Sequence, residues 1–300
     1  MGDKVMPPCG ILLLDKPLGL SSNAALQQVR HALGRPKAGH TGSLDPQATG
    51  MLPICIGEAT KVAGALLAGA KGYTVELRLG ERTDTGDAEG RIVERRPVPA
   101  LSEAMIAPVL GALRGPQQQV PPMYSALKLK GQPLYKLARR GISVERAARD
   151  IEISVLELLD YTDRTARLRI ECSKGTYVRT LVEQFGARLD SCAHVIGLRR
   201  NFVEPFRGEP MHTLEQLRND PRMAVLLPAD RAVAHLPELH LSVTQARALS
   251  FGQGIIVPGA DAGQLRLYEP SGRFLGLGMG AQGGAVRPLR LFSDGAAGPS

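Results

Sequence analysis

Hydrophobic positions fall into short runs whose period changes along the chain, and these runs set the elements. Residues 11–15 are apolar without interruption up to Asp15, which predicts a short buried strand. Ser21 or Ser22 then caps a helix that runs to Gly34. A glycine-rich loop follows, then a strand over 51–56 and a helix over 59–70. Residues 73–79 alternate between apolar and polar and predict another strand. The polar, turn-rich stretch 81–91 reads as a loop, and Ser102 opens a helix ending at Gly111. Residues 151–159 and 166–172 read as paired strands. Gly175-Thr176 leads into a helix ending near Leu189, and 195–203 predicts a further strand. Thr213-Leu214-Glu215-Gln216 has the spacing of a capping box.

Two stretches break this rhythm. Residues 117–149 open with Pro121-Pro122 and carry Lys128, Lys130, Lys136, Arg139, Arg140, Arg146 and Arg149, with Glu145 as the only acid before Asp150. This predicts a basic arm with a short helix over 134–140. Interleaved with Tyr124 and Tyr135, it favours contact with nucleic acid over a merely solvated face. After about residue 236, short apolar runs alternate with glycine turns, which predicts a small β-rich module over 236–293 beside a larger unit over 1–235. The tail 294–300 is expected to be disordered.

Composition adds a bias and removes several classes. The 300 residues carry 37 Lys plus Arg against 29 Asp plus Glu, a formal net charge of +8, which favours polyanionic partners. The apolar run at 11–14 is far too short to span a membrane, so no membrane association is expected and a cytoplasmic protein is. The four cysteines form no C-x-x-C pair, consistent with a reduced compartment. The six histidines show no metal-ligand spacing, and no glycine loop carries the Lys that would complete a phosphate-binding loop. No metal and no cofactor are expected.

The chemistry concentrates in Gly39-His40-Thr41-Gly42-Ser43-Leu44-Asp45-Pro46. Pro46 fixes its own φ and pushes Asp45 toward extended backbone. Small residues around one carboxylate make a stiff loop that presents Asp45 at a set angle. On its own the stretch also fits an ordinary Asp-Pro turn.

Taken with its surroundings, that loop resembles the catalytic motif of the TruB family of tRNA pseudouridine synthases. The resemblance runs in order through Leu13-Leu14-Asp15-Lys16-Pro17-Leu18-Gly19-Leu20-Ser21-Ser22, the Asp45 loop with Ala48-Thr49-Gly50, Lys71-Gly72-Tyr73, and the block from Gly80 to Asp87. It continues through Pro122-Met123-Tyr124-Ser125-Ala126-Leu127-Lys128, the stretch from Cys172 to Leu181, and Leu198-Arg199-Arg200. The C-terminal module looks like a PUA domain, an RNA-binding barrel.

The resemblance implies an α+β fold: a mixed, largely antiparallel sheet with flanking helices and an RNA cleft across its face. It implies that the chain converts uridine 55 in the T-loop of tRNA to pseudouridine. That reaction breaks the C1′–N1 bond, turns the freed uracil and rejoins it through C5. Substrate and product are isomers, so the chemistry calls for no cofactor. By resemblance Asp45 is the catalytic carboxylate, Arg179 its charge partner, and Tyr73 a platform for a base flipped from its stack. His40 and Tyr177 are further contacts to substrate, Lys16 supports the loop, and Leu198 packs near the base. Lys128, Arg139 and Arg140 grip phosphates. The expected partner is the T-stem-loop of tRNA, bound by a monomer without an obligate protein partner. Two other readings share these features: a non-catalytic tRNA-binding protein, and a guide-RNA-dependent synthase of the dyskerin type.

Overall fold

The computed structural model describes residues 8–125, 127–129 and 131–293. The expected tail 294–300 and Lys130 of the arm lie outside them. In chain order the first strands and helices are β1 (Gly10–Lys16), α1 (Ser22–Ala32), β2 (Ala38–His40), β3 (Ala48–Ile56), α2 (Ala63–Ala68) and β4 (Lys71–Leu79). Next come β5 (Glu81–Thr83), β6 (Ile92–Arg95), α3 (Glu103–Ala112), β7 (Gly115–Gln119), β8 (Lys128–Leu129), β9 (Gln132–Pro133) and α4 (Leu134–Ala138). The remainder are β10 (Arg149–Tyr161), β11 (Thr165–Cys172), α5 (Val178–Arg188), β12 (Ala193–Val203), α6 (Leu214–Asn219), β13 (Glu238–His240), α7 (Val243–Ser250), β14 (Ile255–Ile256), β15 (Gly263–Tyr268), β16 (Phe274–Gly280) and β17 (Ala285–Leu291).

The large sheet runs β1-β3-β12-β4-β11-β10-β7, with β2 paired to the Ile54–Ile56 end of β3, beyond the stretch that pairs with β12. Its pairings are antiparallel except for β12 on β3. The sheet is therefore mixed and largely antiparallel, as the resemblance implies. Its two halves are buried differently, and the sequence pattern follows. In β1, Ile11 and Leu13 enter one cluster with Phe206 and Val233, while Leu12 and Leu14 enter another with Ala25 and Val29 of α1. Both faces are covered, so the strand reads as an unbroken apolar run. In β4, Tyr73, Val75, Leu77 and Leu79 all join the cluster under α3 and α5, while Glu76 and Arg78 are exposed, so that strand alternates.

Several local readings change. Ser21 caps α1 by accepting from the Ala24 N–H, which leaves Ser22 inside the helix. The helix expected over 59–70 is a short 3-10 turn followed by α2. The loop expected over 81–91 begins with β5, which pairs with β6. The arm expected from Gln117 to Arg149 starts inside β7 and ends on the first residue of β10, because Gln117, Gln118 and Gln119 pair with that strand. The excursion proper is therefore residues 120–148. The capping boxes of α6 and α7 both form.

A second, five-stranded sheet runs β13-β15-β16-β17-β14 and encloses its own cluster with α7. It is seated on the first unit: Leu277, Phe274 and Phe292 pack into the cluster that holds Ile11 and Phe206. The Tyr268 hydroxyl also donates to Asp230 at 2.9 Å.

Candidate active site

The Asp45 loop is held by backbone contacts along its length. Thr41 N–H donates to the Pro53 carbonyl at 2.9 Å, and Gly42 adopts φ +68°, a left-handed turn that favours glycine. Arg200 donates from Nη2 to the Gly42 carbonyl and from Nε to the Met51 carbonyl, at 2.8 and 2.7 Å. It reaches there because β12 approaches β3 closely at Gly50, where a Cβ would lie 2.2 Å from the Arg200 carbonyl oxygen. Lys16, with no exposed surface, donates from Nζ to the carbonyls of Leu20, Pro17 and Pro46. Burial pulls its pKa down to about 8, opposed by the charge of Asp45.

Asp45 stands at the end of this loop with its side chain 48% exposed. Burial is the largest influence on its carboxyl and raises the pKa; Arg179 offsets this in part, and Asp87 and Glu89 add to it. Arg179, the second residue of α5, is a junction. Its Nη2 lies 3.1 Å from Asp45 Oδ2 and donates to the Tyr124 carbonyl at 2.7 Å. Its Nη1 lies 3.6 Å from Asp87 Oδ2 and donates to the Thr85 carbonyl at 2.8 Å. One guanidinium thus ties the Asp45 loop to the 84–90 loop and to the root of the arm. Asp87 is fixed in turn, accepting at Oδ1 from the Thr85 hydroxyl at 2.6 Å and from the Glu89 N–H at 3.1 Å.

Asp45, Asp87, Arg179, Val195 and Leu198 line one pocket together. The structure therefore brings Asp45, Arg179 and Leu198 together. Tyr73 is buried in the core cluster that also holds Leu44, lies across the ladder from Arg200, and is not among the residues lining this pocket. Burial raises its pKa, and the nearby Arg200 guanidinium opposes that rise. His40 ends β2, with its pKa lowered by burial and by Arg200. Tyr177 sits at the N-terminus of α5, where the Gln119 amide holds its backbone twice: Tyr177 N–H donates to Gln119 Oε1 at 2.7 Å, and Gln119 Nε2 donates to the Tyr177 carbonyl at 3.1 Å. Lys128, Arg139 and Arg140 are exposed on the arm and line no part of this pocket. Among the described residues no carboxylate lies within ion-pair distance of them, whereas Arg169 and Arg207 elsewhere are paired.

The residue that sequence reasoning missed is Asp87. It stands in the quoted block Gly80 to Asp87, but Thr-Asp-Thr-Gly-Asp also reads as a polar loop. Only the fold shows that its carboxylate faces the guanidinium that Asp45 faces.

Comparison with known proteins agrees with this architecture. Solved structures with the same fold include an archaeal box H/ACA sRNP Nop10–Cbf5 complex (TM-score 0.72, 22% identity, covering 99% of this chain and 91% of that one). Another is an H/ACA RNP bound to a substrate RNA containing 2′-deoxyuridine (TM-score 0.72, 23% identity, 97% and 87% covered). The chain shares its fold with those proteins. Residues 30–178 match the TruB family pseudouridylate synthase N-terminal domain, 179–234 the tRNA pseudouridylate synthase B C-terminal domain, and 237–292 the pseudouridine synthase II TruB C-terminal domain. The tRNA pseudouridine synthase B of Aromatoleum aromaticum is 49% identical over 287 residues, 95% of this chain and 92% of the relative. That of Pseudomonas fluorescens is 48% identical over 291 residues, 94% and 95%. The chain belongs to the TruB family of pseudouridine synthases and is an isomerase.

Proposed function

We propose that this enzyme acts on tRNA and converts uridine 55 of the T-loop to pseudouridine, with Asp45 as the catalytic carboxylate. The observation that carries the reading is the Asp45–Arg179 pair at 3.1 Å, in a pocket walled by Asp87, Val195 and Leu198 and joined through Tyr124 to the basic arm. The target nucleotide leaves its stack to reach this pocket, since a base within a helix offers no path to its C1′. Leu198 packs against the ring, and Tyr73, buried across the ladder from Arg200, is the aromatic platform for the base. An ionised Asp45 beside the sugar is held ready by Arg179, because an unpaired carboxylate in a poorly hydrated pocket would take up a proton. Lys16 and Arg200 keep the loop rigid, and His40 and Tyr177 contact the displaced loop nucleotides.

The decisive experiment maps pseudouridine at nucleotide resolution in an unmodified tRNA transcript treated with the purified chain and no other macromolecule. A single new pseudouridine at position 55 is expected. Conversion only when a guide RNA is added would favour the dyskerin-type reading instead, and binding without conversion would favour a tRNA-binding protein.

The arm makes a second expectation. Cations without carboxylate neighbours are free to displace counterions from phosphates. The logarithm of tRNA affinity should therefore fall linearly with that of salt concentration. Replacing Arg139 and Arg140 by Ala should reduce the slope by about 1 to 2, one phosphate contact per residue. An unchanged slope in a filter-binding titration would place both residues on a merely solvated face.

A further inference from the structure

The Asp45 side chain is 48% exposed, and among the described residues its one ion pair is with Arg179 at 3.1 Å. Its direction is set by the peptide planes on either side. On the far side, the Pro46 carbonyl accepts from the Gly19 N–H at 2.9 Å, and the Asp45 carbonyl accepts from the Ala48 N–H at 3.0 Å. On the near side the contact is unusual: one side chain satisfies both backbone groups of Leu44. The Leu44 N–H donates to Ser22 Oγ at 2.7 Å, and the Ser22 hydroxyl donates to the Leu44 carbonyl at 3.0 Å. Ser22 is 4% exposed. The Leu44 carbonyl belongs to the peptide plane that carries the nitrogen of Asp45, so fixing it fixes the plane from which the carboxylate departs.

The serine pair at the start of α1 divides two tasks. Ser21 accepts from the Ala24 N–H and closes the helix end. Ser22, the first residue of the helix, takes no part in that cap and spends both hydrogen-bonding capacities on a loop 22 residues away. A serine needed only for helix formation would have no reason to be buried against that loop.

We propose that Ser22 is a positioning residue for the isomerisation: its hydroxyl clamps Leu44 and so sets the angle of the Asp45 carboxylate. The inference rests on Asp45 being the catalytic carboxylate. It predicts a defect in turnover rather than in substrate binding, because Ser22 is buried against Leu44 and presents almost no surface of its own. A misplacement of reacting groups by a fraction of an ångström to one ångström lowers rates by about 10- to 100-fold.

The test compares Ser22→Ala with Ser21→Ala on unmodified tRNA, with wild type as the control that the chain forms pseudouridine at all. Three quantities are read: the single-turnover rate at saturating tRNA, the tRNA dissociation constant, and hydrogen exchange at the Leu44 amide. For Ser22→Ala the expected result is a rate about 10- to 100-fold lower, a dissociation constant within about twofold of wild type, and faster exchange at Leu44. Ser21→Ala should lower thermal stability through loss of the cap and keep the wild-type rate. If Ser22→Ala does not fold at the assay temperature, Ser22→Cys, with similar volume and weaker hydrogen bonding, is read in its place and should show the same split. A clamp-deficient variant with a wild-type rate, unchanged Leu44 exchange, or an equal rate loss in Ser21→Ala would overturn the proposal. Inactivity of the wild-type chain would overturn the functional reading instead, and the exchange measurement would still decide whether the clamp exists.

Discussion

Asp45→Asn is expected to lower turnover by at least about 10²- to 10⁴-fold while leaving tRNA affinity near wild type. Asn preserves the size of the side chain and can still accept a hydrogen bond from Arg179, which now stands 3.1 Å from Asp45 Oδ2. It also preserves the turn, since Asn is favoured in the same turn positions as Asp. What it removes is the charge and the nucleophilic or basic oxygen, so a role confined to loop structure predicts near-normal activity. The same variant has a second readout in stability. Burial raises the Asp45 pKa, so the folded state disfavours the ionised form that the unfolded chain adopts freely. Above its folded pKa the charge therefore costs stability, and the cost vanishes as pH falls below the ordinary carboxylate range, near about 4. Asp45→Asn should melt above wild type at neutral pH and converge with it in acid. A variant that binds tRNA and turns it over at a comparable rate would remove Asp45 from the chemistry. One that melts below wild type at neutral pH would show that pairing with Arg179 outweighs burial.

The sequence carried the elements better than their assembly. The unbroken apolar run of β1 and the alternation of β4 each announce a strand, because each reflects how many faces are covered. The strand β7 announced nothing. Gly115-Pro116-Gln117-Gln118-Gln119 has no apolar period, since an edge strand needs only backbone pairing with β10. The small helix α7 hid within the glycine turns of the C-terminal module, although Ser242 and Gln245 spell its capping box. In the site, the stiff loop around Asp45 was legible from Gly42 and Pro46. The division between Ser21 and Ser22 was not, because either serine can cap a helix and only the fold shows which one is turned toward Leu44. Asp87 was hidden for the same reason: sequence separation says nothing of a guanidinium shared between positions 45, 87 and 179.

That shared guanidinium carries the second large effect. Arg179→Gln is expected to reduce turnover by about 10²- to 10³-fold, the loss that follows from removing one preorganised electrostatic group from a site. Arg179 is 7% exposed, and its loss leaves the Asp45 and Asp87 carboxylates facing one pocket without the cation between them. Arg179 is also the strongest influence holding the Asp45 pKa down against burial. Without it the carboxyl should keep its proton to higher pH, so the acid limb of the single-turnover rate should move upward in pH. Arg179→Lys keeps the charge, but one ammonium cannot reach the four acceptors on Asp45, Asp87, Thr85 and Tyr124 that two guanidinium nitrogens now share. It should therefore recover part of the acid-limb position and only a fraction of the rate. Because the Tyr124 carbonyl anchors the root of the arm, both variants should also bind tRNA more weakly, whereas Asp45→Asn should not. The measurement is the pH dependence of single-turnover rate and of tRNA affinity for all three variants. An acid limb that stays at the wild-type pH in Arg179→Gln would show that Asp45 draws its ionisation from another source, and the Asp45–Arg179 pair would then be structural.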